Sequence, residues 1–271
     1  MANVLLSTKA VGSTVKLKVN GTAKEFIVVH QGKPSSLYDD SCNGTWLLMK
    51  DIYENRVWQS GNINKYESSD IHTYLNNTFL NLFESNIRDA IKQVKIPYRK
   101  NGGSGGTDQS GANGLSAKIF LLSGYEVGWT TSDYSYFPVD GAKLSYFESG
   151  TGTSANNKRI ANLNGSAAHW WLRSPSTYDT VDGGLVSSNG NYSNFDASYS
   201  YGIRPALLLN SDLLVSLDDE VEDDCCGECD CCGSKGLPNL DGISTATLLE
   251  EIQRRAMRAG SVFMGEDGTD E

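Results

Sequence analysis

Five cysteines crowd into Cys225-Cys226-Gly227-Glu228-Cys229-Asp230-Cys231-Cys232. The Cys226-x-x-Cys229 and Cys229-x-x-Cys232 spacings overlap, so thiolates of Cys226, Cys229, Cys231 and Cys232 could wrap one zinc ion. A structural zinc usually joins two separated cysteine pairs and folds what lies between them; this cluster is one contiguous run. Asp223, Asp224, Glu228 and Asp230 also oppose thiolate formation until a cation binds. Intermolecular disulfides, or a solvated tail with no chemistry, are the rival readings. The sixth cysteine, Cys42, stands alone in residues 1–217, which therefore depend on packing for stability.

Catalytic constellations are scarce elsewhere. His30, His72 and His169 lie far apart, fit no metal-ligand spacing and read as structural residues. Asp179/Asp182 or Glu126/Asp133 could form an acid–base pair, but such carboxylates more often cap loops. Gly150-Thr-Gly152-Thr-Ser-Ala155 imitates a dinucleotide fingerprint without a surrounding βαβ unit. No enzymatic reaction suggests itself.

A different chemistry stands out between Ser187 and Tyr201. Those fifteen residues hold five Ser, three Asn and three Tyr, and they run straight into the apolar Ala206–Leu209. Tyrosine supplies rigid contact area at low entropic cost, while Ser, Asn and Gly supply adaptable hydrogen bonds. Asn189, Asn191, Tyr192, Asn194, Phe195, Asp196 and Tyr199 are the candidate ligand contacts here. The same vocabulary recurs at Tyr178 and Asp179, and at Tyr134 and Tyr136. Turn filling explains Ser and Asn on their own, but not the density of aromatics among them.

The elements that must carry these segments follow from periodicity. Val15, Leu17 and Val19 alternate, Asn20-Gly21 supplies a hairpin turn, and 24–30 returns as a strand. Residues 45–50 form another strand. Ile71, Leu75, Phe79 and Leu82 recur at helical spacing behind a Ser69 or Asp70 cap, and a second helix fits 86–94. The glycine-rich 101–114 reads as a flexible loop, and 117–129 and 168–175 as strands leading into turns. The class expected is α+β with a twisted antiparallel sheet and long loops on a rigid frame.

Charge divides the chain in two. Residues 218–271 hold 15 Asp/Glu against four Lys/Arg, whereas residues 1–217 hold 18 against 19. The first stretch has no basic stripe to neutralise phosphates, so nucleic-acid binding is not expected. No apolar run is long enough to insert in a membrane, and the opening residues lack the pattern of a secretory signal, so synthesis in a cytoplasm is expected. The division predicts a binding domain over 1–217, an acidic Cys-rich linker over 218–243 and a short amphipathic helix with a disordered end over 244–271. That helix, with Leu248, Leu249, Ile252 and Ala256 on one face, wants a partner.

"WWLRSP" (170–175) and "YGIRPALLL" (201–209), with "TWLLMKDIYENRVW", "SDIHTYLNNTFLNLF", "AKIFLLSGYEVG" and "YFPVDGA" upstream, resemble C-type lectin-like domains of phage and gut-bacterial proteins. The group is similar to the variable proteins of diversity-generating retroelements and shares its fold with formylglycine-generating enzymes. The resemblance covers roughly residues 10–215. It implies two helices flanking a small antiparallel sheet, with a long loop region near the last strands presenting the ligand surface. It also implies that Trp170, Trp171, Arg173, Arg204 and Pro205 frame the displayed segment, the two arginines pairing with carboxylates or carbonyls. Residues 176–201 correspond to the stretch such retroelements diversify.

Departures from the pattern narrow the reading. The reactive cysteines of the formylglycine-generating relatives have no counterpart, and the calcium-lectin sugar motifs are missing. The expectation is a non-enzymatic receptor-binding module of a phage or prophage, carried on the virion, without cofactor unless zinc binds the cysteine cluster. Its partner would be a bacterial surface protein or glycan, and the terminal helix would add contacts to virion subunits or to itself. A virion decoration or fibre domain is the alternative; a formylglycine-generating type of enzyme is a more distant one.

Overall fold

Asn20 and Gly21 both adopt positive φ, 50° and 72°, the geometry of a two-residue turn whose twist matches the strands it joins. The hairpin so made, Thr14–Val19 with Thr22–Gln31, begins an antiparallel five-stranded sheet. Thr45–Met49 pairs beside it, then Ala206–Leu209, then Ile119–Phe120. The structure, a computed structural model, describes residues 3–216.

This first sheet is buried on both faces where its central strands lie, which is why they read as unbroken apolar runs. Side chains alternate across it. Ile27, Val29, Trp46, Leu48, Ala206 and Leu208 enter one core; Phe26, Val28, Leu47, Met49, Leu207 and Leu209 enter the other.

A second five-stranded sheet carries the segments of functional interest. Its order is Tyr192–Asp196, Asp182–Val186, Trp170–Pro175, Ser200–Ile203, Glu54–Val57. All its pairs are antiparallel except that Trp170 meets Gly202 in parallel. Trp170 and Leu172 face the first core while Trp171, between them, faces the second. The protein is therefore α+β and dominated by strands, with two five-stranded sheets and four two-stranded ones among the described residues where one small sheet was expected.

Helical structure is short. The expected helix at Asp70 forms behind Ser69, whose Oγ accepts the His72 N–H at 3.1 Å, and Ile71, Leu75 and Phe79 are buried as their spacing predicts. It widens to a π turn over Leu75–Phe79 and tightens over Leu80–Leu82. The helix expected over 86–94 spans only Ser85–Ala90. Ile91 instead bridges Leu209 and the Lys92 N–H donates to the Leu208 carbonyl, so sheet pairing ends the helix and Val94 opens the strand Val94–Ile96.

The glycine-rich 101–114 is not the free loop its composition suggests. Thr107–Gln109 pairs with Tyr98–Lys100, and Gly102 and Gly103 are buried against Asn64. Only glycine fits at 103: a Cβ would stand 1.8 Å from the Ser176 carbonyl oxygen. A helix over Thr153–Arg159 has no counterpart among the sequence-based expectations. Among the described residues no helix is long and apolar enough to cross a membrane. The linker 218–243, its Cys226, Cys229, Cys231 and Cys232, and the helix expected in 244–271 lie outside the described residues.

Candidate ligand-binding face

Two buried arginines, Arg173 and Arg159, tie down the loop that carries Tyr134 and Tyr136, and a third, Arg204, braces the first sheet. Arg173, at the middle of its strand, forks onto Glu126 with Nη1–Oε2 2.5 Å and Nη2–Oε1 2.6 Å. Its remaining donors reach the carbonyls of Pro97 (3.0 Å), Leu121 (2.9 Å) and Asp140 (2.8 Å). Glu126 is completed by the Tyr38 hydroxyl at 2.7 Å and the Ser123 N–H at 3.0 Å. Such a bidentate, fully hydrogen-bonded pair is the form in which a buried ion pair is tolerated. Glu126 is thus spent on structure. Asp133 caps its own turn by accepting from the Thr130 N–H and hydroxyl, so these two carboxylates form no acid–base pair.

Arg159 does for the far end of that loop what Arg173 does for its base. It donates to the carbonyls of Val127 (2.7 Å), Glu148 (3.0 Å) and Gly150 (2.7 Å), and lies 4.3 Å over the Trp129 ring. Arg204 donates to the Met49 and Lys50 carbonyls at 2.8 and 3.0 Å and lies 5.0 Å from the Trp170 ring. Burial without a carboxylate partner lowers its pKa to about 10. The expected pairing of Arg173 and Arg204 with carboxylates or carbonyls is what their contacts are.

The tyrosines do not form one crest. Along Tyr192–Asp196 successive side chains point to opposite faces. Tyr192 turns inward, 9% exposed, its ring 4.5 Å from Phe137, 4.9 Å from Tyr134, 5.4 Å from Tyr136 and 5.7 Å from Trp129. It was expected as a ligand contact and is instead the floor beneath other rings, because the aromatic wall of the 130–137 loop needs a partner from the sheet. Tyr134 and Tyr136 lie half-buried over it, and Tyr178 stands outermost, 70% exposed, its hydroxyl 2.8 Å from Ser135 Oγ. Phe195 (37% exposed) and Tyr199 (55%) form a separate strip with Tyr201 and His169 on the other face.

The Asn and Asp side chains are largely committed to turns. Asp179 Oδ1 accepts from the Val181 and Asp182 N–H groups, and Asn189 Oδ1 from the Asn191 N–H and Ser187 hydroxyl. Asn191 accepts from Asn156 at 2.7 Å, Asn194 donates to Asp182, and Asp196 accepts from Asn62 and Ser198. Asn64 was missed by sequence reasoning, which offers no mark for a buried amide. It joins loops by donating to the Asp182 carbonyl at 3.0 Å and accepting the Gly103 N–H at 2.9 Å. Asp140, wholly buried with Oδ2 held by Ser174, has its pKa pushed up to about 7 by burial. No group of three or more His, Cys, Asp or Glu among the described residues is placed to hold a metal ion.

The family model of a domain of unknown function, DUF6273, matches residues 43–211. The chain belongs to this family. No protein of curated function and no solved structure matches it. The DUF6273 segment takes in the whole second sheet, all three arginines and both aromatic strips, and leaves the hairpin Thr14–Gln31 outside. Within it Gly190 closes the turn before Tyr192 at φ +82°, where a Cβ would stand 2.1 Å from the Asn156 carbonyl oxygen. Gly190→Ala combines a left-handed backbone with a backbone clash, and is expected to destabilise the domain by about 3 kcal/mol in urea unfolding. A loss below about 1 kcal/mol would mean that the turn does not rest on the Thr153–Arg159 helix.

Proposed function

We propose that this DUF6273 domain is a non-enzymatic ligand-binding module with a C-type lectin-like frame, carried on a bacteriophage particle and recognising a bacterial surface molecule. The observation that carries the reading is Tyr178: a large ring 70% exposed, with Tyr136 beside it at 5.5 Å, on loops tied down by buried Asn64 and Arg173. Rigid aromatic anchors on a preorganised base lose little entropy on binding, which is what recognition through few contacts requires. The order of segments, Trp170–Pro175 before the displayed turns and Ala206–Leu209 after them, supports the lectin-like frame inferred from sequence.

The test is retention of the full chain on a panel of bacterial cells and on arrayed surface glycans, beside Tyr178→Ala. The expected result is retention by some surface, reduced about tenfold or more in the variant. Retention by none, or equal retention of both proteins, overturns the proposal. The second strip, Phe195 with Tyr199, supports a packing role against neighbouring virion subunits as the alternative. In that case Tyr199→Ser lowers incorporation into particles and leaves cell retention untouched.

A further inference from the structure

Segments 130–139 and 174–203 contain Asp133, Asp179, Asp182 and Asp196, and not one Lys or Arg. This is unusual beside a first stretch whose charges balance overall. Of the cations on neighbouring elements, Arg99 pairs with Asp108 at 2.8 Å and donates to the Gly103 carbonyl, Arg159 lies buried under the loop against Trp129, and Lys65 is exposed beside Asn64. The faces of Tyr134, Tyr136 and Tyr178 carry the negative lobe of the ring quadrupole into the same space.

Two observations mark polar groups here that the fold leaves uncompensated. The Tyr192 hydroxyl, nine-tenths buried, has no hydrogen-bond partner, and it lies in the field of Tyr136, Asp182 and Asp179. Asp182 is held above the ordinary carboxylate range by burial and by its neighbour Asp179, so the rim carries like charges at close quarters. An anion would be repelled by this surface. A small hard metal ion wants a cage of oxygens, whereas aromatic faces favour a large, weakly hydrated cation.

We infer that the tyrosine face takes a cationic side chain, the ammonium of lysine or the guanidinium of arginine, presented by a basic segment of a partner protein. The cation lies on the rings of Tyr136 and Tyr178, with Asp179 and Asp182 as counter-charges. This rests on the binding-module reading and narrows its ligand from any surface molecule to a basic polypeptide.

The test follows the tyrosine ring resonances of the full chain during titration with trilysine, triglutamate and a neutral glucose trisaccharide. Ring resonances are needed because the acidic residues 218–271 attract trilysine in every variant. Saturable shifts at Tyr136 and Tyr178 are expected with trilysine alone. The affinity should fall about fivefold in Thr180→Lys, which sets a positive charge at an exposed position of the rim, and in Asp179→Asn/Asp182→Asn. Unmoved rings, or equal affinity in Thr180→Lys, overturn the inference. Rings that move with the trisaccharide but not with trilysine overturn it while leaving the binding-module reading intact. The latter falls only if the cell and glycan panels also fail.

Discussion

Arg173→Met is expected to lower the unfolding free energy by about 3–5 kcal/mol, because it strands Glu126 in the interior. Both side chains are fully buried, so no water can replace the guanidinium. Protonation of Glu126 would relieve part of the charge, at the cost of holding a carboxyl against the Tyr38 hydroxyl and the Ser123 N–H. The double variant Arg173→Met/Glu126→Leu should recover part of the loss. It cannot recover all of it, since the carbonyls of Pro97, Leu121 and Asp140 lose their donors in either variant. Urea unfolding of the four proteins in a double-mutant cycle gives the coupling directly. Additive effects would show that Arg173 acts through the three carbonyls alone. A second consequence reaches the surface: Asp140 anchors the loop bearing Tyr134 and Tyr136, so the single variant should also blunt the ring resonances of that loop.

The frame was legible in the sequence where the physics is local. Val15, Leu17 and Val19 declare an amphipathic strand, Asn20-Gly21 declares its turn, and Ser69 declares a helix start. Trp170 to Arg173 stood out only through the resemblance that "WWLRSP" carries. The partner of Arg173 did not stand out, since Glu126 lies 47 positions away and looks like any loop carboxylate. The same holds for Arg159, which followed a glycine-rich stretch and gave no apolar periodicity, yet is buried among carbonyls.

The exposed aromatic surface was legible only as composition. Residues 187–201 were marked by aromatics among Ser and Asn, but a strand sends alternate side chains to opposite faces. Tyr192 and Phe195, an odd number of positions apart on one strand, therefore could not share a surface. The 101–114 stretch misled for a related reason. Glycine records both freedom and close approach, and at Gly103 the approach of the Ser176 and Asp179 carbonyls decides. Long-range contacts of that kind leave no trace in local sequence.

Acid stability should show two buried groups working against each other. Asp140 has its pKa raised from 3.8 to about 7, so its stabilising share is complete below the unfolded value and is lost as pH rises through 7. His72 is the opposite case: burial lowers it from 6.5 to about 4, so its share is complete above 6.5 and is lost as pH falls toward 4. Between about pH 4 and 6.5 the folded chain alone keeps the Asp140 proton and the unfolded chain alone keeps the His72 proton, so the two slopes have opposite sign and cancel for these groups. Asp140→Asn removes one side of the balance. Its stability should fall with acid across that window, while His72→Phe, which keeps a ring against Tyr66, should gain stability with acid. The advantage of Asp140→Asn over the parent should therefore grow by about 4 kcal/mol between pH 4 and pH 8. Urea midpoints at half-unit pH steps measure it. Parallel curves for parent and variant would mean that Asp140 is ionised at neutral pH in the folded protein, and that Arg173 carries two carboxylates rather than one.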